Sequence, residues 1–246
     1  MHGRNRRSAI FPLCVNRNEV RRNLEKIALC IRRHDPDIVT LQEVDQSSIL
    51  SGEFNQCDFL ASELQYPYKF CAPSCSFSIC GKEIFVSGNA ILSKYPLDHC
   101  ESYRFNRSFP TDRMGFAIAD ITIPGGGMIT VVSLHLVYLD WLRRLSRVRQ
   151  LQLVERVVCS RRGKLVIAGD YNCDCTGKEE SLRRFLNDLD LRTHAPEDRS
   201  IRTYPSWSPT KRIDWILTSR DVDILSYNTV HERLSDHLAV MATLSI

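Results

Sequence analysis

The sequence predicts an α/β fold organised around a mixed β-sheet, and three features predict it. Amphipathic stretches with helical spacing alternate with short β-branched apolar runs. Several of those runs end in acidic or amide residues, where a buried strand would leave the core. Pro124-Gly125-Gly126-Gly127 separates two apolar runs and reads as a hairpin turn, which argues against a wholly parallel sheet.

From Glu19 onward, Val20, Leu24, Ile27, Ala28 and Ile31 recur at helical spacing, with Arg21, Arg22, Glu25, Lys26, Arg32 and Arg33 on the other face, until Asp35-Pro36 stops the helix. Asp37-Ile38-Val39-Thr40-Leu41 then reads as a buried strand that delivers Gln42 and Glu43 at its end. A second helix is expected over about Phe54 to Gln65, and a strand at Ala90-Ile91-Leu92 closed by Lys94-Tyr95-Pro96. Phe116 to Ile123 and Met128 to Leu136 form the hairpin, with His135 at the exit of its second strand. Leu142, Leu145, Val148, Leu151 and Val154/Val158 give a helix whose arginines ride the solvent side, and Gly163 ends it. Leu165-Val166-Ile167-Ala168 is another buried strand, after which Gly169 lets the backbone turn so that Asp170 and Asn172 emerge together. Ser181 to Leu189 is a short helix, Trp215-Ile216-Leu217 a strand, and Leu238 to Leu244 a closing strand.

The 246 residues are 43% hydrophobic and 25% charged, which fits one domain spanning 1–246 with a sizeable core. No linker composition and no fixed-period repeat divides the chain. The net charge of +4 is modest. Basic clusters at Arg4/Arg6/Arg7, Arg143/Arg144/Arg147/Arg149 and Arg161/Arg162/Lys164 suit either a polyanion or plain solvated helix faces. The segment from Arg4 to Val15 lacks a cleavage site and is interrupted by Pro12, so no signal peptide is read there. Nothing approaches the ~18 uninterrupted apolar residues of a membrane span, and a cytoplasmic monomer is expected. Ten cysteines are present. Cys30 and Cys159 sit inside apolar patterns, and Cys71, Cys75 and Cys80 have no second pair at zinc-like spacing, so reduced thiols are expected.

The chemistry-bearing residues cluster at strand ends. Glu43 suits a hard divalent cation, which takes one or two protein carboxylates and fills its other positions with phosphate and water. Phosphoester hydrolysis further needs a base for the attacking water, groups that stabilise charge on phosphorus and help for the departing oxygen. Asp170, Asn172, His135 and an Asp214/His237 pair are the candidates for those roles. Taken singly, an Asp at a strand end is more often a turn former and a lone His a satisfied structural residue, which is the reading given to Asp37 and Asp120.

Taken in order, Asp-Pro-Asp-Ile-Val-Thr-Leu-Gln-Glu-Val-Asp at 35–45, Gly-Asn-Ala-Ile-Leu-Ser-Lys-Tyr-Pro-Leu at 88–97, Ser-Leu-His-Leu at 133–136, Gly-Asp-Tyr-Asn at 169–172, Thr-Tyr-Pro-Ser at 203–206, Arg-Ile-Asp-Trp-Ile-Leu at 212–217 and Leu-Ser-Asp-His at 234–237 resemble the endonuclease/exonuclease/phosphatase superfamily. The likeness runs from about Val20 to the C-terminus. It implies a four-layered α/β sandwich, two mixed β-sheets face to face with helices outside, and an active site at one edge of the sheets. It implies a Mg2+ or Mn2+ cofactor, with Glu43 as metal ligand and Asp236 as a further carboxylate close to the metal. By the same resemblance Asp170 activates water, Asn172 holds the phosphate and transition state, and His135 donates to the phosphate or leaving group. His237 contacts the phosphate and is oriented by Asp214, a pairing that fixes the tautomer and favours the charged imidazole. Asn89 and Arg113 fall in matching segments, Asn89 as a substrate contact or a strand cap and Arg113 as a substrate contact or a partner of a surface acid.

Nucleic acid is the favoured phosphodiester substrate, because arginine clusters can track a backbone. A phospholipid or sugar-phosphate diester is the runner-up, and a weakened, non-catalytic binding protein the third reading. The Leu-Gln-Glu-Val-Asp and Thr-Tyr-Pro-Ser variants are more similar to small bacterial-type members than to repair enzymes. The first strand of the family, which ends in a metal-site asparagine, is not evident. Met1-His2-Gly3 looks like the continuation of that strand, so the chain is expected to begin one strand late; alternatively Ile10 to Val15 replaces it with Asn16 as the asparagine, although Pro12 sits badly in a central strand.

Overall fold

A computed structural model describes residues 17–46, 48, 53–79, 82–106, 114–125, 127–138, 144–161, 163–174 and 180–246. The elements run α1 (Arg17–His34), β1 (Ile38–Asp45), α2 (Gln56–Leu64), β2 (Tyr68–Ile79), β3 (Lys82–Ser93), β4 (Leu97–Arg104), β5 (Gly115–Ile123), β6 (Gly127–His135), α3 (Arg144–Val158), β7 (Lys164–Asp170), α4 (Ser181–Asp188), β8 (Asp214–Thr218), β9 (Asp223–Val230) and β10 (Ala239–Ser245). Arg4, Arg6, Arg7, Asn16, Cys80, Arg113, Arg143, Arg162 and the replacement strand at 10–15 lie outside the described residues.

The central sheet has the order β4-β5-β6-β7-β8 and is mixed, since β6 and β7 pair in parallel while the other neighbours are antiparallel. Its middle strands are apolar on both faces because both faces are covered. Phe116, Ile118, Val132, Leu134, Ile167, Trp215 and Leu217 pack with Leu151, Val154 and Val158 of α3 and Leu182 and Phe185 of α4. The alternate residues Ala117, Ala119, Ile121, Val131, Val166 and Ile216 face Ile91, Phe70, Ile224 and Val240 of the opposite layer. Outside that layer, Leu24 and Ala28 of α1 and Leu60 and Ala61 of α2 pack on Val44, Ala90 and Leu92. The four layers are therefore helix, five-stranded sheet, facing strands and helix, the sandwich expected from the motifs.

The facing layer comes in two hydrogen-bonded pieces, β1-β3-β2 and β10-β9, both antiparallel. Among the described residues, no strand pairs with the outer edge of β1 or of β10.

Several expectations change in detail. Arg147 does not ride the solvent side of α3: it is 5% exposed and donates to the carbonyls of Val137 and Asn172. Arg161 is tied to Asp120 at 2.8 Å and to Glu101. Asp120 keeps its structural reading: Thr130, Arg161 and His99 surround it, five residues along β5 from Gly115 and so ~17 Å from that strand's first residue. The expectation of reduced thiols is overturned for one pair, because Cys57 at the start of α2 and Cys71 in β2 form a disulfide. The pairing removes the thiol argument for a cytoplasmic setting. No helix among the described residues is long and apolar enough to cross a membrane.

Candidate active site

Strand register assembles the candidate residues in one row. Gly115 of β5 lies opposite His135, the last residue of β6; His135 is level with Asp170, the last residue of β7; and Asp170 is level with Asp214, the first residue of β8. All three side chains continue the alternation that faces the opposite layer. They stand where the core ends, and each is buried, at 6–8% exposure.

Local features aim the row. Gly169 has φ 151°, and a Cβ there would meet the Leu134 carbonyl oxygen at 1.9 Å, so only glycine lets β7 approach β6 this closely before Asp170. Asn172 adopts a left-handed φ of 50°, which turns the chain back on Asp170. Its N–H donates to Asp170 Oδ1 at 2.8 Å, and its Nδ2 donates to Asp170 Oδ2 at 3.2 Å and to the Leu136 carbonyl at 2.9 Å. On the opposite layer, two residues of β1, Gln42 and Glu43, oppose one of β3, Asn89, between the pairs made by Leu41 and Val44; within that bulge Glu43 takes φ 56° and is exposed. The bulge is fastened to the row's strand by Gln42 Nε2 donating to Ser133 Oγ at 3.0 Å, while Ser133 Oγ donates to the Leu41 carbonyl at 3.0 Å.

His237 reaches the row from the segment between β9 and β10. Its Nδ1 lies 3.1 Å and 3.0 Å from the two oxygens of Asp214, and its Nε2 lies 4.0 Å from Asp170 Oδ2. His135 Nε2 is 3.6 Å from the same Asp170 oxygen. Asp170 thus sits between two imidazoles that differ in charge. Burial, and then repulsion from His237, lowers His135 to about 4, a neutral ring at pH 7. Burial works against the charge of His237 as well, but the Asp214 hydrogen bond and charge, with Asp170 and Asp236 behind them, raise it to about 9. Burial and the negative charge of Asp214 push the Asp170 carboxyl well above the carboxylate range, against the pull of His237 and the Asn172 N–H, and Glu43 adds to the rise.

A divalent cation fits this donor set. Ligating atoms of Asp170, Asp214 and His237 lie within 4.8 Å of one another. Glu43 adds a further carboxylate whose field reaches Asp170, so the site carries more negative charge than its one raised histidine offsets. Asp214 is engaged with His237 through both oxygens. Asp236 is exposed on the same segment as His237 and accepts from Ser235 Oγ at 3.0 Å.

Asn89 is 1% exposed and reaches across to β5, donating from Nδ2 to the Gly115 carbonyl at 2.7 Å; its buried Oδ1 has no hydrogen-bond partner among the described residues. Arg113 lies outside the described residues.

Residues given no role from sequence turn out to hold the row together. Thr203 Oγ1 accepts from the N–H groups of Ile213 and Asp214 at 3.2 and 3.4 Å, and its carbonyl accepts from Leu238 N at 2.8 Å. Ser206 N donates to the Asp236 carbonyl at 2.7 Å and its Oγ to the Ser235 carbonyl at 2.6 Å, while the Tyr204 ring lies 4.8 Å from that of His237. Thr-Tyr-Pro-Ser is therefore the clasp of the His237 segment; its presence as a motif was the available signal. On the other side Gln150 Oε1 accepts from Val137 N at 3.0 Å beside buried Arg147. A cleft of about 310 Å³ is lined by Asp174, Asp198, Arg199, Arg202, Thr210 and Arg212, of which Asp174 follows Asn172 by two residues and Arg212 precedes Asp214 by two.

Among known proteins, the sequence model of the Endonuclease/Exonuclease/phosphatase family matches residues 15–237. No curated protein matches the sequence. Of the solved structures, an endonuclease/exonuclease/phosphatase from Beutenbergia cavernae DSM 12333 has a TM-score of 0.76 at 21% identity over 90% of this chain, which spans 65% of that protein's length. A mannosyl-6-phosphatase from Bacteroides thetaiotaomicron has a TM-score of 0.72 at 15% identity, covering 95% of this chain and 96% of the other. Sphingomyelinase C from Streptomyces griseocarneus has a TM-score of 0.65 at 20% identity, covering 90% of both chains. At these identities the likeness is one of fold.

Proposed function

Because the chain belongs to the endonuclease/exonuclease/phosphatase family, we propose that it hydrolyses a phosphoester with the help of Mg2+ or Mn2+, by in-line attack of water on phosphorus. The observation that carries this reading is the row itself: Asp170 Oδ2 lies 3.6 Å from His135 Nε2 and 4.0 Å from His237 Nε2, and Asp214 holds the other nitrogen of His237 at 3.0 Å.

In this reading Asp170 accepts the proton of the attacking water, for which its raised pKa suits it near neutral pH. The Asn172 N–H and amide keep that carboxylate in one orientation, so Asn172 serves the phosphate through Asp170 as well as by any direct contact. His237, held charged by Asp214, donates from Nε2 to a phosphoryl oxygen and offsets the charge that builds there. His135, neutral, offers a hydrogen bond to the phosphate or the departing oxygen. Glu43 would hold the cation, with Asp236 as an added carboxylate; when bound it would supply Lewis-acid polarisation of the phosphoryl oxygens. Asn89 is proposed as a polar contact with substrate or its water, for which its Oδ1, without a partner among the described residues, is the free acceptor. Arg113 is proposed as a second substrate contact, from its place in the sequence alone.

Nucleic acid is the first substrate class, favoured by the net positive charge and exposed arginines such as Arg149. A compact sugar or lipid phosphoester is the second reading, and a specific observation favours it. Arg147 and Arg161 are spent inside the fold, whereas Arg199 and Arg202 line a small cleft together with Arg212, two residues before Asp214. A metal-supplemented panel of single- and double-stranded DNA, phospholipids, inositol phosphates, sugar phosphates and nucleotide diesters, with Asp170→Asn as blank, tests both. DNA cleavage whose substrate binding weakens steeply with salt supports the first reading. Turnover confined to small esters with little salt dependence supports the second, and no turnover above the blank on any substrate refutes hydrolysis.

A further inference from the structure

Where α1 meets the segment between β9 and β10, three residues of different chemistry converge. Cys30 and His34 are four apart in α1 and so share a face of the helix. Glu232, from the segment between β9 and β10, meets that face, and the ligating atoms of the three lie within 4.8 Å of one another. Cys30 is 5% exposed, whereas His34 is open to solvent and Glu232 half-buried, so the cluster has a buried floor and an accessible mouth.

The geometry points to a second metal site here, in which Cys30 Sγ, an imidazole nitrogen of His34 and a Glu232 oxygen bind a thiophilic divalent cation such as zinc. Donors around a tetrahedral zinc stand about 3.5 Å apart, given Zn–S near 2.3 Å and Zn–N or Zn–O near 2.0–2.1 Å. Atoms already within 4.8 Å of one another need to close by about 1 Å to reach that spacing. A sulfur, nitrogen and oxygen set selects zinc, cobalt or nickel over magnesium, which wants oxygens alone. Without an ion, Arg33 holds Glu232 in an ion pair, and its side chain is 55% exposed, so it can turn to solvent when the carboxylate is taken.

Glu232 stands five residues before His237, and Asn23 of α1 also touches this segment, donating to the Leu234 carbonyl at 3.4 Å. An ion at this place would staple α1 to the chain that delivers Asp236 and His237, adding stability where the Thr203–Ser206 clasp holds the same segment from the other side. It uses none of the ligands assigned to the phosphoester site.

Cobalt separates the two sites, because only a thiolate gives a sulfur-to-cobalt charge-transfer band in the near ultraviolet. The chelator-treated protein, held in excess Mg2+, is titrated with Co2+ and then with Zn2+, and its melting temperature is followed in parallel. One equivalent of cobalt should raise the band, zinc should bleach it, and zinc should raise the melting temperature. His34→Ala, at an exposed position, should lose both the band and the zinc-dependent rise, Cys30→Ser should lose the band, and Cys159→Ser should keep all three effects. No band in the wild-type protein, or a band that survives His34→Ala, overturns the site.

Discussion

Glu43 and Asn172 share an unusual feature: each is a non-glycine residue held in the left-handed region, at φ 56° and 50°, on opposite sides of the same site. Such a conformation costs about 1 kcal/mol or more per residue, and here it aims one carboxylate out of a bulge and folds one amide onto Asp170. Glu43→Gln should therefore fold normally and lose Mn2+ affinity, which calorimetric titration reads directly. Asp170 carries a cost of another kind. Its raised pKa means that the ionised carboxylate disfavours the metal-free fold above the unfolded-state value of 3.8, so Asp170→Asn should abolish turnover while leaving the metal-free melting temperature equal or higher at pH 8. His237 has the opposite sign. With a folded value of about 9 against 6.5 unfolded, its charged form adds stability that is complete below about pH 6.5 and is lost as pH rises through about 9. Asp214→Asn should bring the His237 titration, followed by NMR, down toward or below 6.5 and lower kcat by about 10²-fold or more. In the sequence these side chains stand out only as an ordered set of motifs, since an Asp at a strand end or a lone His is ordinary taken singly. Thr203, Ser206, Arg147 and Gln150 were not assigned roles, because they act through backbone contacts whose partners are distant along the chain, such as Thr203 with Asp214 and Leu238.

At the scale of elements, patterning revealed what was buried on a face and missed what was not. β5, β6 and β7 have long apolar runs because helices and strands cover both faces. β4 is an edge strand, exposed along nearly its whole length and rich in Asp98, His99, Glu101 and Ser102, so neither periodicity nor apolarity marks it. β2 is interrupted by register shifts at Pro73/Cys75 and Phe77/Ser78 that break any alternation. β9 exposes Leu225 on its polar side and reads ambiguously. The Cys57–Cys71 pair, 14 residues apart, was invisible for the same reason as the clasp: spacing does not say that α2 and β2 meet. Reducing it should lower stability by about 2–4 kcal/mol in urea unfolding, and Cys57→Ala should show the same loss with or without reductant. Gly169→Ala should be costlier than its single methyl suggests, about 3 kcal/mol, since the new carbon meets the Leu134 carbonyl oxygen at 1.9 Å. Loss of the close β6–β7 approach should also lower turnover, because His135 and Asp170 end those strands.

Across the whole molecule, the sandwich gathers chemistry at one end of the central sheet and structural charge toward the other. The row of His135, Asp170 and Asp214 crosses β6, β7 and β8 at one edge, while Asp120, Arg161, Glu101 and His99 pair farther along the sheet. The facing strands carry Glu43 and Asn89, the two residues proposed from that layer, and their two hydrogen-bonded pieces both pack on the same face of the central sheet. The ordered motifs made this architecture legible because those at 35–45, 133–136, 169–172 and 212–217 mark strand ends that the fold brings to a single edge; the burial of Arg147 was not legible, because its backbone partners lie on other elements. The measurement that bears most directly on the assignment is hydrolysis of a simple aryl phosphodiester, with and without Mg2+ or Mn2+, by the wild-type protein and Asp170→Asn in parallel, with circular dichroism of both. Metal-dependent hydrolysis by the wild type, lost in Asp170→Asn with an unchanged spectrum, is the expected result. Full activity in Asp170→Asn, or wild-type hydrolysis indifferent to metal and chelator, would contradict it.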